Sequence, residues 1–134
     1  MADTVTSQTI QDGERLAIVK FTNESDGTGE ASVKKVDVSA LKANGRGLAC
    51  TGVSISRIHW FCRGMGVDIE FDASTNVLAV PLPADSSGDE YFDQFTGIPN
   101  NAGSGVTGDI DFTTVGHSSG DAYSIILILS KNYG

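Results

Sequence analysis

Near the end of the chain stands the sequence Ala122-Tyr123-Ser124-Ile125-Ile126-Leu127-Ile128-Leu129-Ser130, in which five large aliphatic residues follow one another. A strand with one face in water alternates apolar and polar side chains, whereas an unbroken apolar run indicates a strand buried on both faces. We therefore predict that residues 122–130 form a central strand and that both of its faces are buried.

Beyond this run, the composition favours a single all-β domain over residues 1–134. Sixteen glycines, three prolines and many Val, Ile, Thr and Ser residues suit short strands joined by tight turns. Alternation and turn residues predict about eight strands, at residues 4–11, 14–22, 31–38, 49–62, 67–72, 77–82, 106–114 and 122–131. Strands in this number and spacing predict a two-sheet β-sandwich, jelly-roll-like in type.

Two local patterns refine the predicted sandwich. In residues 49–62 the apolar parity reverses, because Val53 and Ile55 share one face while Ile58 and Trp60 have the opposite parity. Such a reversal predicts a β-bulge or a bend near residues 56–57. Pro81 cannot donate a ladder hydrogen bond, so residues 77–82 are predicted to form an edge strand. Residues 83–105 show little periodicity and are predicted to be a long loop.

The net charge of −8 limits the classes of molecule that the chain is expected to bind. Nucleic acids and anionic lipids bind basic patches, so neither is an expected partner. No apolar run approaches the roughly 18 residues that a membrane-spanning helix needs. The first residues lack the basic start and the apolar stretch of a secretory signal, so synthesis in the cytoplasm is expected.

Acidic residues supply the first candidate site. Asp68, Glu70 and Asp72 alternate along one predicted strand at spacings of about 7 Å, and Asp109 and Asp111 repeat the pattern. Carboxylates in this arrangement can bind a hard cation if loop carbonyls join them. A solvated strand face explains the same pattern, and the loop pattern of an EF-hand is missing. We therefore predict no metal site.

The remaining reactive side chains do not form a recognisable site. Cys50, His59, Cys62 and His117 show no zinc-ligand spacing, and free thiols are expected. His117 shares one turn with Ser118 and Asp121, whereas members of a catalytic triad usually come from different segments. The glycine-rich residues 103–108 lack the lysine and the following helix of a phosphate-binding loop. We predict no catalytic residue, no cofactor and no enzymatic activity.

Aromatic residues in the predicted long loop are the candidate partner-binding residues. We expect Tyr91, Phe92 and Phe95 to be the anchors of a protein contact, because a few aromatic side chains often dominate interface energy. Together with Trp60 and Phe61 they would alternatively form an aromatic platform for a sugar.

Several segments of the chain resemble small virion structural proteins of tailed bacteriophages. They are Val5-Thr6-Ser7-Gln8-Thr9-Ile10-Gln11-Asp12-Gly13, Lys20-Phe21-Thr22-Asn23, Ser25-Asp26-Gly27-Thr28-Gly29-Glu30, Lys35-Val36-Asp37-Val38-Ser39, Gly97-Ile98-Pro99-Asn100-Asn101-Ala102-Gly103 and the ending from Gly120-Asp121 to Tyr133. The resemblance covers most of the chain.

In phages, small β-rich proteins of this length are similar to capsid decoration or cement proteins. The resemblance implies a structural protein on the capsid surface of a virion, made in the host cytoplasm, that stabilises the shell. Its partners would be the major capsid protein and copies of itself in a homotrimer. Two alternatives stay open: another virion component of the neck, tail or fibre, and a carbohydrate-binding or receptor-contact module.

Overall fold

The computed structural model describes residues 3–92, 97–100, 102 and 104–133. These residues form nine strands and one short 3-10 helix over Val38–Ala40. The strands are β1 (Thr4–Asp12), β2 (Leu16–Glu24), β3 (Val33–Val36), β4 (Cys50–Arg63), β5 (Gly66–Phe71), β6 (Val77–Leu82), β7 (Ser87–Tyr91), β8 (Ile110–Val115) and β9 (Ala122–Tyr133). The predicted all-β class is confirmed.

The strands form two antiparallel sheets with the strand order of a jelly roll. One sheet has the order β1-β2-β9-β4-β7 and the other β3-β8-β5-β6. Strand β2 pairs with β9, β3 with β8, β4 with β7 and β5 with β6. This is the pairing of one long hairpin that is rolled into two layers. This confirms the predicted two-sheet, jelly-roll-like sandwich, with β1 added at one edge.

The predicted long loop contains a strand that the sequence did not indicate. Strand β7 has the sequence Ser-Gly-Asp-Glu-Tyr, and most of its residues are exposed. It pairs with β4 at the end of the five-stranded sheet. Because its backbone pairs with β4 and no apolar face of β7 is buried, no apolar alternation marks it in the sequence.

The core lies between the two sheets and is crossed by a chain of aromatic rings. The rings of Phe21 and Phe112 meet edge to face with centroids 5.3 Å apart, and Phe112 meets Tyr123 at 5.8 Å. These residues lie on β2, β8 and β9, so the contacts join one sheet to the other. Such pairs add roughly 0.5–1.5 kcal/mol each beyond the burial of their area.

Strand β9 is the middle strand of its sheet, as predicted, but only one of its faces is fully buried. Ile125, Leu127 and Leu129 are completely buried against the second sheet, whereas Ile126 and Ile128 are half-buried on the other side. The expectation of burial on both faces is wrong for a physical reason: a sandwich has two layers, so even its central strand has one face toward the core.

The predicted irregularity near residue 56 is a β-bulge. Along the pairing of β4 with β9, Ile55 lies opposite Leu129 and Arg57 lies opposite Ile128, so Ser56 is an extra residue. Both Ile55 and Ile58 are therefore fully buried despite their opposite parity. The predicted edge strand is confirmed as well, since β6, with Pro81, ends the four-stranded sheet.

The two sides of β9 give the first testable prediction. Leu127→Asp should lower the free energy of unfolding by roughly 3–5 kcal/mol or prevent folding, because the new carboxylate would be buried without a partner. Ile126→Asp, one residue away on the half-buried side, is the matched control and should cost about 1–2 kcal/mol. Urea unfolding followed by circular dichroism measures both. Equal costs for the two variants would contradict the one-sided burial of β9.

Candidate functional site

The outward side of the five-stranded sheet carries a mixed apolar and charged surface. Directly opposite residues of antiparallel strands lie on the same side of a sheet, so the strand register defines two adjacent rows. The first row contains Ile18, Ile128, Arg57 and Tyr91, and the second contains Lys20, Ile126, His59 and Asp89. We call these eight residues the outer face.

Tyr91, the first predicted anchor, lies on the outer face and is 51% exposed. The guanidinium carbon of Arg57 lies 4.7 Å from the centre of its ring, within the range of a cation–π contact. The His59 ring meets the Tyr91 ring edge to face with centroids 6.3 Å apart. On its other side, His59 Nδ1 forms a hydrogen-bonded contact with the Asp89 carboxylate. These contacts hold Tyr91 in a defined position at the surface.

Phe92, the second predicted anchor, is not beside Tyr91. It is half-buried and packs against the core, and its N–H donates to the Ser56 carbonyl at 2.7 Å. With Trp60, Leu82 and Ile98 it lines an apolar groove between the two sheets. Phe95 lies outside the described residues. The structure therefore does not bring Tyr91 and Phe92 onto one surface.

The suggested sugar platform is not assembled by the described aromatic residues. The Trp60 indole is half-buried in the groove, and its N–H donates to Ser86 Oγ at 3.0 Å. Phe61 is exposed, but it follows Trp60 on β4 and so points to the opposite side of the sheet. Trp60 and Phe61 thus do not present their rings to one ligand.

Sequence reasoning missed the residues that accompany Tyr91 on the outer face. Arg57 and His59 follow the bulge, so their parity indicates that they point away from the core. Ile126 and Ile128 belong to the apolar run, whose uniformity concealed their sidedness. Only the register between β4, β7 and β9 shows that these residues are neighbours of Tyr91, and no local pattern specifies that register.

The reactive side chains considered in the sequence do not assemble a site in the described part of the chain. Cys50 and Cys62 are free thiols, as expected, and both are buried. Burial, with a smaller contribution from Asp85, raises the pKa of Cys62 to about 11, so its thiol is unreactive at neutral pH. Among residues 3–92, 97–100, 102 and 104–133, no group of three or more His, Cys, Asp or Glu side chains is placed to hold a metal ion.

The turn that contains His117 shows ordinary turn chemistry. The His117 Nδ1 atom lies 3.1 Å from Thr114 Oγ1. The Asp121 carboxylate instead accepts hydrogen bonds from the N–H and the hydroxyl of Ser118. The described contacts of these residues thus form no relay from Ser through His to Asp.

The acidic residues differ from a solvated strand face at two positions. Asp109 and Asp111 are buried, although both were expected to be in water. Asp109 accepts hydrogen bonds from Lys34 Nζ and from the Val38 N–H, each at 2.9 Å. Asn76, in the turn between β5 and β6, donates to Asp111 Oδ2 at 3.0 Å, and Thr107, ahead of β8, donates to Asp72. Side-chain parity alone could not show that these two carboxylates are buried.

The titration of Asp111 gives the second prediction. Burial, followed by the neighbouring Asp72, raises its pKa from 3.8 to about 6. Asp111 therefore binds more protons in the folded than in the unfolded chain, and the cost of its charge is present above pH 6 and disappears as the pH falls. The Asp111→Asn variant lacks this cost, so its free energy of unfolding should exceed that of the wild type more at pH 7 than at pH 5. The difference between the two proteins should decrease by about 1 kcal/mol over this range, measured with a chelator so that no metal ion contributes. Chemical denaturation at each pH measures this difference, and a constant difference would contradict the assignment.

Comparison with known proteins adds little to this geometry. No protein-family model and no curated protein matches the chain. Among solved structures, a cupin superfamily protein from Desulfitobacterium hafniense is similar, with 10% sequence identity and a TM-score of 0.40 over 98% of this chain and 82% of that protein. Within the described residues, no helix is long and apolar enough to cross a membrane.

Proposed function

We propose that the chain is a structural virion protein that binds the outside of a phage capsid as a decoration protein and stabilises the shell. Its partners are the major capsid protein and other copies of the chain. It contacts the capsid protein through the outer face, and three copies of the chain form a homotrimer. The observation that supports this contact surface is the Arg57–Tyr91 pair, which is fixed at the surface beside the half-buried Ile126 and Ile128. The resemblance to phage virion proteins supplies the identity of the partner.

The composition of the outer face suits a protein contact. Tyr and Arg are enriched among the residues that dominate binding energy, and aliphatic area at the centre of a patch supplies the hydrophobic contribution. The residues lie on paired strands, so little conformational entropy is lost when a partner binds. A decoration protein needs such a complementary surface and no bond-breaking chemistry.

Strand β1 suits contact between copies of the chain. It ends the five-stranded sheet, and eight of its nine residues are exposed. Between Thr4 and Gln11 it contains neither a charge nor a proline, the features that usually protect an edge strand from pairing with another chain. In a chain of net charge −8, this uncharged edge also lets copies approach with little local repulsion.

Binding to capsid shells tests the proposal directly. Shells of the encoding phage, stripped of this protein, are mixed with the purified chain and sedimented. Electron cryo-microscopy then locates the added density. We expect saturable binding to the exterior, at sites where capsomers meet. A chain that binds no shell, or that is found in the neck, tail or fibre of the virion, would contradict the decoration role.

Substitution of Tyr91 tests the outer face within the same assay. Tyr91→Ala should weaken shell binding at least about tenfold, because it removes the exposed ring held by Arg57. Leu78→Ala is the matched control: Leu78 is 52% exposed, as against 51% for Tyr91, but lies on β6 of the other sheet. Equal binding by Tyr91→Ala and the wild type would exclude the outer face as the contact. Phe92→Ala is unsuitable as a probe, since it also removes core packing.

A further inference from the structure

The four-stranded sheet contains a buried carboxylate with an unsatisfied oxygen. Asp111, on β8, is only 3% exposed. Its Oδ2 atom accepts a hydrogen bond from Asn76 Nδ2 at 3.0 Å, whereas its Oδ1 atom is buried without a hydrogen-bond partner. An ionised oxygen in this position is costly unless a donor or a cation neutralises it.

The groups around Asp111 add negative charge. Glu70 lies directly opposite on β5. Asp72, just beyond β5, donates its N–H to the Asp109 carbonyl at 3.0 Å, and its carboxylate is close enough to raise the pKa of Asp111. Asp109 precedes it on the same segment, and Asp68 lies further along β5. From β3, Lys34 lies opposite Asp111, but its ammonium bonds Asp109 at 2.9 Å and is half exposed. The Lys34 ammonium is therefore engaged by another carboxylate.

The described hydrogen-bond donors near Asp111 donate to atoms other than Asp111 Oδ1. Glu70 Oε1 accepts from Ser32, Asn76 and Thr113. Asp72 Oδ2 accepts from Thr107 Oγ1 at 2.6 Å. Asn76 is oriented by the Ala73 N–H, which donates to its Oδ1 at 3.1 Å, so its amide group faces Asp111 Oδ2. None of the described hydrogen bonds brings a donor to Asp111 Oδ1.

We propose that a hard divalent cation, Ca²⁺ or Mg²⁺, binds between the carboxylates of Asp111 and Asp72. Oxygen ligands are what these ions prefer, and water completes the coordination where one or two carboxylates are the protein ligands. Such a two-carboxylate site needs no group of three acidic ligands. The inference rests on this geometry alone and is independent of the proposed virion role.

A bound cation would fasten two loops to the sheet. Asp72 begins the loop that leads to β6, and its backbone and side chain bond Thr107, which precedes β8. Asp111 lies on β8 itself. Joining Asp72 to Asp111 through an ion therefore ties the turn after β5 and the segment before β8 to one point. The folded state then gains stability with the logarithm of the ion concentration above Kd.

Thermal unfolding with and without the ion tests the site. The purified chain is treated with a chelator, dialysed at pH 7 and titrated with CaCl₂ or MgCl₂, with KCl of equal ionic strength as reference; calorimetry measures the stoichiometry. We expect one ion per chain and a rise in Tm of about 5 °C or more at a hundredfold excess over Kd. Asp111→Asn and Asp72→Asn should each abolish the rise. Asp68→Asn, the matched control on the same sheet, should retain it.

Each outcome decides the proposal. A wild type whose Tm responds no more to either divalent ion than to KCl would overturn it. An undiminished response in folded Asp111→Asn would place the ion elsewhere and overturn it equally. If Asp111→Asn does not fold, Asp72→Asn supplies the same comparison. Loss of the response in Asp68→Asn as well would indicate general charge screening and would also refute the site.

Discussion

The pairing of β9 with β2 on one side and β4 on the other is the constraint on which the rest of the structure depends. β9 runs antiparallel to both neighbours along nearly its whole length. Its buried side chains face the second sheet, and Tyr123 connects to Phe112 and through it to Phe21. Because β9 is central, its register fixes which residues of β2 and β4 face the core and which reach the surface.

The bulge at Ser56 links that register to the candidate binding surface. Without the extra residue, Arg57 and His59 would have core parity, and Ile58 would point outward. With it, Ile55 and Ile58 are both buried, and the Arg57 guanidinium reaches the ring of Tyr91 on β7. One inserted residue thus serves packing and function at once, in keeping with the frequent occurrence of bulges near functional sites.

Local patterns predicted much of the fold because most strands show apolar residues at regular positions and are bounded by turn residues. The parity reversal located the bulge, and Pro81 located an edge. The remainder depends on long-range pairing: β7 is held by backbone hydrogen bonds to β4, and no side-chain pattern in Ser-Gly-Asp-Glu-Tyr shows this. For the same reason, the sequence identified Tyr91 as a candidate anchor but not its neighbours, and it indicated acidic ladders without the loops that bury Asp111.

The two sheets differ in charge, and this difference orients any encounter with a partner. The four-stranded sheet and its loops hold Asp68, Glu70, Asp72, Asp109 and Asp111 against Lys34 and Lys35 of β3. The outer face of the other sheet carries Lys20 and Arg57, and its Asp89 is paired with His59. An acidic surface repels a chain of net charge −8, and this repulsion is weakest on the side of the chain with the fewest carboxylates. Toward an acidic partner surface, approach through the outer face is therefore electrostatically favoured over approach through the four-stranded sheet. A cation between Asp72 and Asp111 would reduce that preference without changing the outer face, because it offsets two of the carboxylates that make the four-stranded sheet acidic.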